Sequence, residues 1–263
     1  MTHATTTHST LNFETATGHQ VMAAAGKKIL RPGGKAATAQ LFQWAAFQPG
    51  DRVLELAASF GHSAIALAQQ YGVQVIGIEK NPASVARARL NIQAAGLAGQ
   101  VQVLEGDVFR LEELSEQFDY VLAEAILTMQ SLPAKRQILH GVCDRLKPGG
   151  KFLSQELLAR DRADEIHRAL AATLRANSTP LSEADWIDTC EAAGLQVVQC
   201  RTGKMELLSP TRIIQDEGLR DGLKFCWTVL TQAPVRQRLL PIRRVFQQYC
   251  QELGYIVLCA ERQ

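Results

Sequence analysis

The chain has 263 residues, enough for one large α/β domain with an appendage or for two small domains. Apolar residues make up 46% of it, which permits a sizeable core, and the net charge of +2 gives no reason to expect nucleic acid or a membrane as a partner. No apolar run approaches the ~20 residues that a membrane span needs, and the polar N-terminus lacks an export signal, so we expect a cytoplasmic protein with free thiols.

Residues 1–48 are predicted to form a tail and a helical cap. The sequence from Phe13 to Phe47 favours helix, with one break at Arg31-Pro32-Gly33-Gly34, because proline and two glycines end a helix. A new helix is expected over Lys35–Phe47, and Pro49-Gly50-Asp51 predicts a turn before the first strand.

Strands and helices then alternate, which predicts a parallel, doubly wound sheet with helices on both faces. Pro82 suits the first turn of a helix and Gly96 suits a helix end. The predicted strands are Val53–Leu56, Val73–Ile78, Val101–Leu104, Phe118–Ala123 and Lys151–Leu157, and the predicted helices between them are Ser63–Tyr71, Ala83–Ala95 and Leu132–Leu146.

The C-terminal third differs from this pattern. A helix over Ser182–Ala193 and strands over Leu195–Cys200 and Gly254–Ala260 are predicted. Between the two strands, residues 209–253 are expected to form a helical insert, or lid, with Pro234 as one break and Pro241 as a candidate for another. Phe225 and Trp227 are the candidates for the apolar side of this lid.

Four acidic residues come at or just after the ends of successive predicted strands: Glu55, Glu79, Asp107 and Glu124. The carboxyl ends of such strands meet at one edge of the sheet, where open α/β sheets bind ligands. Four carboxylates would repel one another there unless a ligand offered donors. A ligand with a positive charge, a ribose and an exocyclic amine would do so.

Several short segments together carry a family resemblance. They are Val53-Leu54-Glu55-Leu56-Ala57 with Gly61, then Gly77-Ile78-Glu79, Gly106-Asp107-Val108, Phe118-Asp119-Tyr120-Val121 and Leu146-Lys147-Pro148-Gly149-Gly150-Lys151. In this order and spacing, the chain resembles the class I S-adenosylmethionine-dependent methyltransferases of the small-molecule type. The resemblance implies a Rossmann-like cofactor-binding domain over residues 49–208 and 254–263, with a mostly parallel seven-stranded sheet.

The same resemblance implies roles for individual residues. The loop from Ala57 to Gly61 would pass beside the methionine part of S-adenosylmethionine, and Glu55 would orient its amino group. Glu79 would accept from both ribose hydroxyls, since a carboxylate accepts two hydrogen bonds at once. The remaining assignments are Lys80 near the adenosine, Asp107 and Val108 at the adenine amine, Glu124 beside the sulfonium, and Thr38, which with the Arg31–Gly34 break is similar to the lead-in of some small-molecule members.

The first loop departs from the family pattern, because Ala57 and Ser59 stand where the family has glycines. Alanine has only part of the backbone range of glycine, so we expect this loop to differ slightly or to avoid a positive φ at Ala57.

The expected reaction is methyl transfer to a small molecule by direct in-line displacement, without a metal. Glu124 is the candidate catalytic residue, either orienting the acceptor or taking its proton. Ala123-Glu124-Ala125-Ile126 replaces the Asn/Asp-Pro-Pro-Tyr signature of nucleobase methylation, which argues with the low charge for a small-molecule acceptor.

Other readings stay open at this point. Glu79 and Asp107 also suit a plain helix start, where acids favour the positive end of the helix. A nicotinamide-dependent oxidoreductase shares the sheet, but it needs glycines at positions 57 and 59 to seat a pyrophosphate. A non-catalytic binding or partner subunit and a protein or RNA methyltransferase are the further alternatives.

Overall fold

The computed structural model describes residues 12–263, so the polar tail predicted before them lies outside the described part. Seven strands form one sheet: β1 Arg52–Leu56, β2 Gln74–Glu79, β3 Val101–Glu105, β4 Phe118–Glu124, β5 Leu146–Ala159, β6 Leu195–Lys204 and β7 Leu253–Arg262. Their order is β3-β2-β1-β4-β5-β7-β6, and only β7 runs antiparallel to its neighbours. The predicted doubly wound, mostly parallel seven-stranded α/β sheet is confirmed.

The helices of the described part are α1 Gly18–Ala24, α2 Gly34–Ala45, α3 His62–Tyr71, α4 Pro82–Ala94, α5 Leu132–Arg145, α6 Ala163–Leu174, α7 Glu183–Glu191, α8 Pro210–Glu217, α9 Leu219–Thr231 and α10 Ala233–Gln248. Local signals explain where several begin and end. The side chain of Asn81 accepts from the N–H groups of Ala83 and Ser84 at the start of α4, and Gly96, with φ +71°, follows its end.

Three apolar cores hold the layers together. One lies between the sheet and helices α2, α3 and α4, and the second lies on the opposite face under α5 and α7. The third joins α1, α6 and the helices between β6 and β7, with Val21, Leu170 and Ile242 fully buried in it. The N-terminal helix and the helices before the last strand therefore share one core beside the sheet.

Several details differ from the sequence expectations. The helix α6 has no counterpart among the helix bounds given above, and β5 begins at Leu146 rather than at Lys151. Pro234 lies in the first turn of α10, after a break as predicted, but Pro241 lies inside α10 and does not end it. Pro241 and Gln237, whose carbonyl loses its usual donor, are both exposed, so this carbonyl needs no partner within the protein.

No helix among residues 12–263 combines the length and the apolar character needed to cross a bilayer.

Candidate functional site

The strand order places a cleft at the carboxyl ends of β1 and β4. β1 lies between β2 and β4. From β1 the sheet grows through β2 and β3 on one side and through β4 and β5 on the other, so the strand order reverses here. Such a switch point is where open α/β sheets bind ligands. A cavity of about 540 Å³ occupies the cleft. Of the predicted site residues, it is lined by Glu55, Ala57, Glu79 and Glu124.

The loop from β1 to α3 adopts left-handed backbone at the positions where glycine was absent. Ala57 has φ +53° and Ser59 has φ +49°, so of the two alternatives expected for this loop, avoidance of a positive φ at Ala57 is wrong. The reason lies in the packing of Ala58, whose N–H donates to Ile78 O at 3.0 Å. A Cβ on Gly77 would stand 2.6 Å from Ala58 Cβ, so the bare backbone of β2 lets the loop approach closely enough to require this conformation.

The predicted Glu79 lies at the tip of β2 and ties the first loop to it. Its Oε2 accepts from the N–H of Ser59 at 2.9 Å, and its Oε1 accepts from the N–H of Asn81 at 2.8 Å. Because a carboxylate has about four acceptor positions, each oxygen keeps room for another donor.

Asp107 follows β3, the neighbour of β2, so the two predicted acids lie on adjacent strand tips. Lys80 Nζ lies 2.7 Å from Asp107 Oδ2, and the N–H of Phe109 donates to Oδ1 at 3.1 Å. The hydrogen bond from Lys80 and that from Phe109 lower the pKa of the Asp107 carboxyl. Gly61, Lys80, Asp107 and Val108 are not among the residues that line the cavity of the cleft.

Glu55 is buried at the base of the cleft, with 6% of its surface exposed. Its Oε2 has no hydrogen-bond partner among the described residues. Burial, followed by the nearby Glu124 carboxylate, raises the pKa of Glu55 to about 8, although Arg31 opposes the shift. Glu55 is therefore mostly protonated at neutral pH while no cation lies against it.

Glu124, at the end of β4, is held by three donors. Arg31 forms an ion pair with Oε2, the Ser63 hydroxyl donates to the same oxygen at 2.7 Å, and the Thr38 hydroxyl donates to Oε1 at 2.5 Å. Arg31 Nη1 also donates to Ser63 Oγ at 2.8 Å. The segment before α2, helix α2 itself and the start of α3 thus converge on one carboxylate.

Arg31 stands between the cleft and a second cavity of about 760 Å³, which runs between α2 and α3. Lys28, Arg31, His62 and Ser63 line both cavities, and Thr38 lines only the second. The Nε of Arg31 has no partner among the described residues. The N-terminal segment therefore contributes a cation to the lining of the cleft.

Sequence reasoning missed Arg31, Ser63 and His19 as residues of the cleft. Arg31 was noted only as part of a helix break, and its contact with Glu124 joins residues 93 positions apart, which no local pattern reveals. His19 lines the cleft from α1, its Nδ1 has no partner among the described residues, and burial lowers its pKa. Within residues 12–263, no three His, Cys, Asp or Glu side chains are arranged to hold a metal ion.

A family model described as a methyltransferase domain matches residues 47–211. An uncharacterized protein of Haemophilus influenzae is 32% identical over 93% of this chain and 98% of its own length. The methyltransferase GfsG of Streptomyces halstedii is 28% identical over 69% of this chain and 66% of its own length.

Solved structures show the same fold. A S-adenosylmethionine-dependent methyltransferase of Geobacter sulfurreducens, in complex with S-adenosylhomocysteine, superposes with a TM-score of 0.68 at 19% identity. The match covers 93% of this chain and 97% of that one. A second complex with S-adenosylhomocysteine, from Thiobacillus denitrificans, has a TM-score of 0.65, also at 19% identity, and covers 93% and 98% of the two chains.

Proposed function

Because the chain belongs to the class I S-adenosylmethionine-dependent methyltransferases, we propose that it methylates a small-molecule acceptor by direct in-line displacement. It is an enzyme, and S-adenosylmethionine is its cofactor. The observation that carries the assignment to this cleft is the placement of Glu55, Glu79 and Glu124 around one cavity at the switch point of the sheet.

The residues of the cleft fit this cofactor. The unpartnered oxygen of buried Glu55 calls for a donor, and the amino group of the methionine part supplies one. Arg31, with its free Nε, is suited to the carboxylate of the same part. The loop from Ala57 to Gly61 brings bare backbone to the cavity beside these groups.

We assign the nucleoside part of the cofactor to the tips of β2 and β3. Glu79 holds the ribose hydroxyls with the acceptor positions left free by Ser59 and Asn81. Asp107 and the N–H of Val108 hold the adenine amine and ring edge. Lys80 acts through Asp107, since its ammonium group contacts that carboxylate.

When bound, the cofactor supplies a methyl group made electrophilic by a positively charged sulfur. What this chain adds is position and charge. Of the two roles left open for Glu124, orientation fits its contacts better, because Arg31, Ser63 and Thr38 already fill three of its about four acceptor positions. Thr38 contributes through Glu124 rather than by direct contact with the cofactor.

The acceptor enters between the cofactor and the helices above the strand tips. We assign the described part of the cap, residues 12–48, and the insert over residues 209–253 to the roof of the site, since α1 and the segment after it line the cavity and share a core with α10. A cavity of about 540 Å³ that must also hold the cofactor leaves room for a small acceptor only. This size, with the net charge of +2, favours a metabolite over nucleic acid or a folded protein.

The test is transfer of a tritiated methyl group from S-adenosylmethionine into a cell extract that is separated afterwards into metabolite, protein and RNA fractions. The proposal expects label in the metabolite fraction only. Label in protein or RNA would replace the acceptor class, and no label in any fraction, beside intact cofactor binding, would favour a non-catalytic subunit.

A further inference from the structure

Helix α9 exposes a continuous apolar stripe. Leu219, Leu223, Trp227 and Leu230 have 63%, 58%, 68% and 66% of their surfaces exposed. Their spacing of four, four and three residues places them on one face of the helix. The opposite face carries Gly222 and Phe225, which are buried against the body of the protein, so α9 is firmly seated with its apolar stripe outward. Trp227, a candidate for the apolar side of a lid, lies on the outward face of α9, whereas the other candidate, Phe225, is buried.

Cations border this stripe. Arg220 and Lys224 lie next to it on the helix, both are exposed, and no carboxylate of the described residues is within 4 Å of either. The acid of the same helix, Asp221, points to another side, where its Oδ2 lies 2.6 Å from Lys28 Nζ. The outward face of α9 is therefore apolar with a positive border.

This combination selects among the partners that could cover it. A second copy of the chain would cover the stripe with its own stripe, which carries no carboxylate to pair with Arg220 and Lys224. A helix with tryptophan and leucine on one face and basic residues beside them matches the composition of helices that lie in the membrane interface. Anionic lipid headgroups would supply the negatively charged partners that Arg220 and Lys224 lack among the described residues.

We propose that α9 docks reversibly on an anionic lipid surface, with Leu219, Leu223, Trp227 and Leu230 in the headgroup region and Arg220 and Lys224 against lipid phosphates. This departs from the expectation, drawn from net charge, that the protein has no membrane partner. Net charge averages over the whole chain, whereas the stripe is a local feature of one helix. The inference does not depend on the proposed function.

The docking face is connected to the catalytic cleft. Lys28, which pairs with Asp221 of α9, also lines both cavities. At the end of α8, Glu217 accepts from the N–H groups of Lys28 and Ile29 at 3.1 and 3.0 Å. Docking through α9 therefore holds the segment that bears Arg31, a wall of the cleft, near the lipid surface.

The test is co-sedimentation of the full chain with vesicles of phosphatidylcholine, with and without phosphatidylglycerol. Wild type should bind the anionic vesicles, and its tryptophan emission should shift to the blue, because Trp227 is the exposed one and Trp186 is buried. The double variant Arg220→Gln/Lys224→Gln should bind the anionic vesicles about 25-fold more weakly, at about fivefold per cation.

The matched pair of apolar variants is Leu223→Ser and Leu90→Ser, since both leucines are 58% exposed and only Leu223 belongs to the stripe. Leu223→Ser should weaken vesicle binding and Leu90→Ser should not, while calorimetry with S-adenosylhomocysteine shows that both variants are folded. Three results overturn the proposal: no binding of wild type to anionic vesicles, equal binding of the two leucine variants, or a wild-type dimer that Leu223→Ser splits. Failure of cofactor binding in wild type would instead count against the proposed function.

Discussion

Glu55 is the residue in the cleft whose charge the fold controls most strongly. Burial raises its pKa to about 8, so the folded chain holds a proton that the unfolded chain releases near pH ~4.3. The stabilisation from Glu55 is thus complete below the unfolded pKa, falls as the pH rises, and is lost above pH 8.

The variant Glu55→Gln, which stays neutral, should therefore gain stability relative to wild type as the pH rises from 5 to about 8. Thermal unfolding followed by circular dichroism at both ends of this range measures the change. Glu156, the other buried carboxyl with a raised pKa, is present in both proteins and cancels in the comparison. A difference between the two proteins that is the same at both pH values would contradict the buried, protonated state of Glu55.

Cofactor binding should release the proton from the Glu55 carboxyl. In the proposed site, the ammonium group of S-adenosylmethionine would lie beside Glu55 and favour the carboxylate, so binding at pH 7 should release up to about one proton. Calorimetry in buffers of different ionisation enthalpy, such as phosphate and Tris, measures the release. The release should disappear in Glu55→Gln, and an enthalpy independent of buffer in wild type would remove Glu55 from the amino-group site.

Ala57 is strained by its φ of +53°. A left-handed alanine is about 1–2 kcal/mol less stable than the right-handed form, whereas glycine has no such penalty but loses more entropy on folding. Ala57→Gly should raise the free energy of unfolding by about 0.5–1 kcal/mol in a urea titration. The neighbouring Ala58→Gly is the control and should lower it by about 1 kcal/mol, because Ala58 has no positive φ and packs on Gly77. The same sign for both variants would mean that strain at position 57 is absent.

Among the secondary-structure elements, helix α8 fixes the position of the segment that carries Arg31. Lys27 and Glu217 have 0% and 1% of their side chains exposed and lie 3.4 Å apart, and burial is the main cause of the lowered pKa of Lys27. Asp216 Oδ1 accepts from the N–H of Lys35 at the start of α2, where a Cβ on Gly34 would stand 2.4 Å from the same oxygen. The segment 27–35 is therefore fixed at both ends by two adjacent acids.

Removing the charge of Glu217 should weaken the attachment of the segment 27–35 to α8. Glu217→Gln leaves buried Lys27 with only the more distant carboxylate of Asp216, 3.9 Å away, which should lower the free energy of unfolding by about 2 kcal/mol and also weaken cofactor binding through Arg31. The matched variant is Glu206→Gln, because Glu206 is 52% exposed and 3.8 Å from Arg212, and its loss should change stability by less than about 1 kcal/mol. Urea unfolding measures the change in stability, and calorimetry measures the change in cofactor affinity. Equal losses in the two variants would contradict a specific role of Glu217 in fixing the segment 27–35.

Elements with strong local sequence signals could be predicted from the sequence. The strand tips bearing Glu55, Glu79 and Glu124 follow short apolar runs, and Asn81-Pro82 and Gly96 mark the ends of one helix by capping chemistry. Pro241 misled because a proline in an exposed helix lets water take over the lost hydrogen bond, and exposure is not visible in the sequence.

At the scale of the whole molecule, the fold followed from alternation, but the inside of the cleft did not. The contacts of Arg31 with Glu124 and of Lys80 with Asp107 join distant positions, and they depend on the order of the strands in space. The left-handed Ala57 arises from contact with β2, which outweighs the preference of alanine. The stripe on α9 is visible only once the buried face of that helix is known.

In the site that we propose, the strand tips of this sheet hold one S-adenosylmethionine, with Glu79 on its ribose. Calorimetric titration of S-adenosylhomocysteine into wild type and Glu79→Ala tests it most directly, with Glu105→Ala as control, since Glu105 lies opposite Glu79 on β3. We predict that Glu79→Ala weakens binding about 100-fold, because a carboxylate that accepts two hydroxyls contributes about 1.5–3 kcal/mol through charged hydrogen bonds. Equal affinity of Glu79→Ala and wild type would contradict the account.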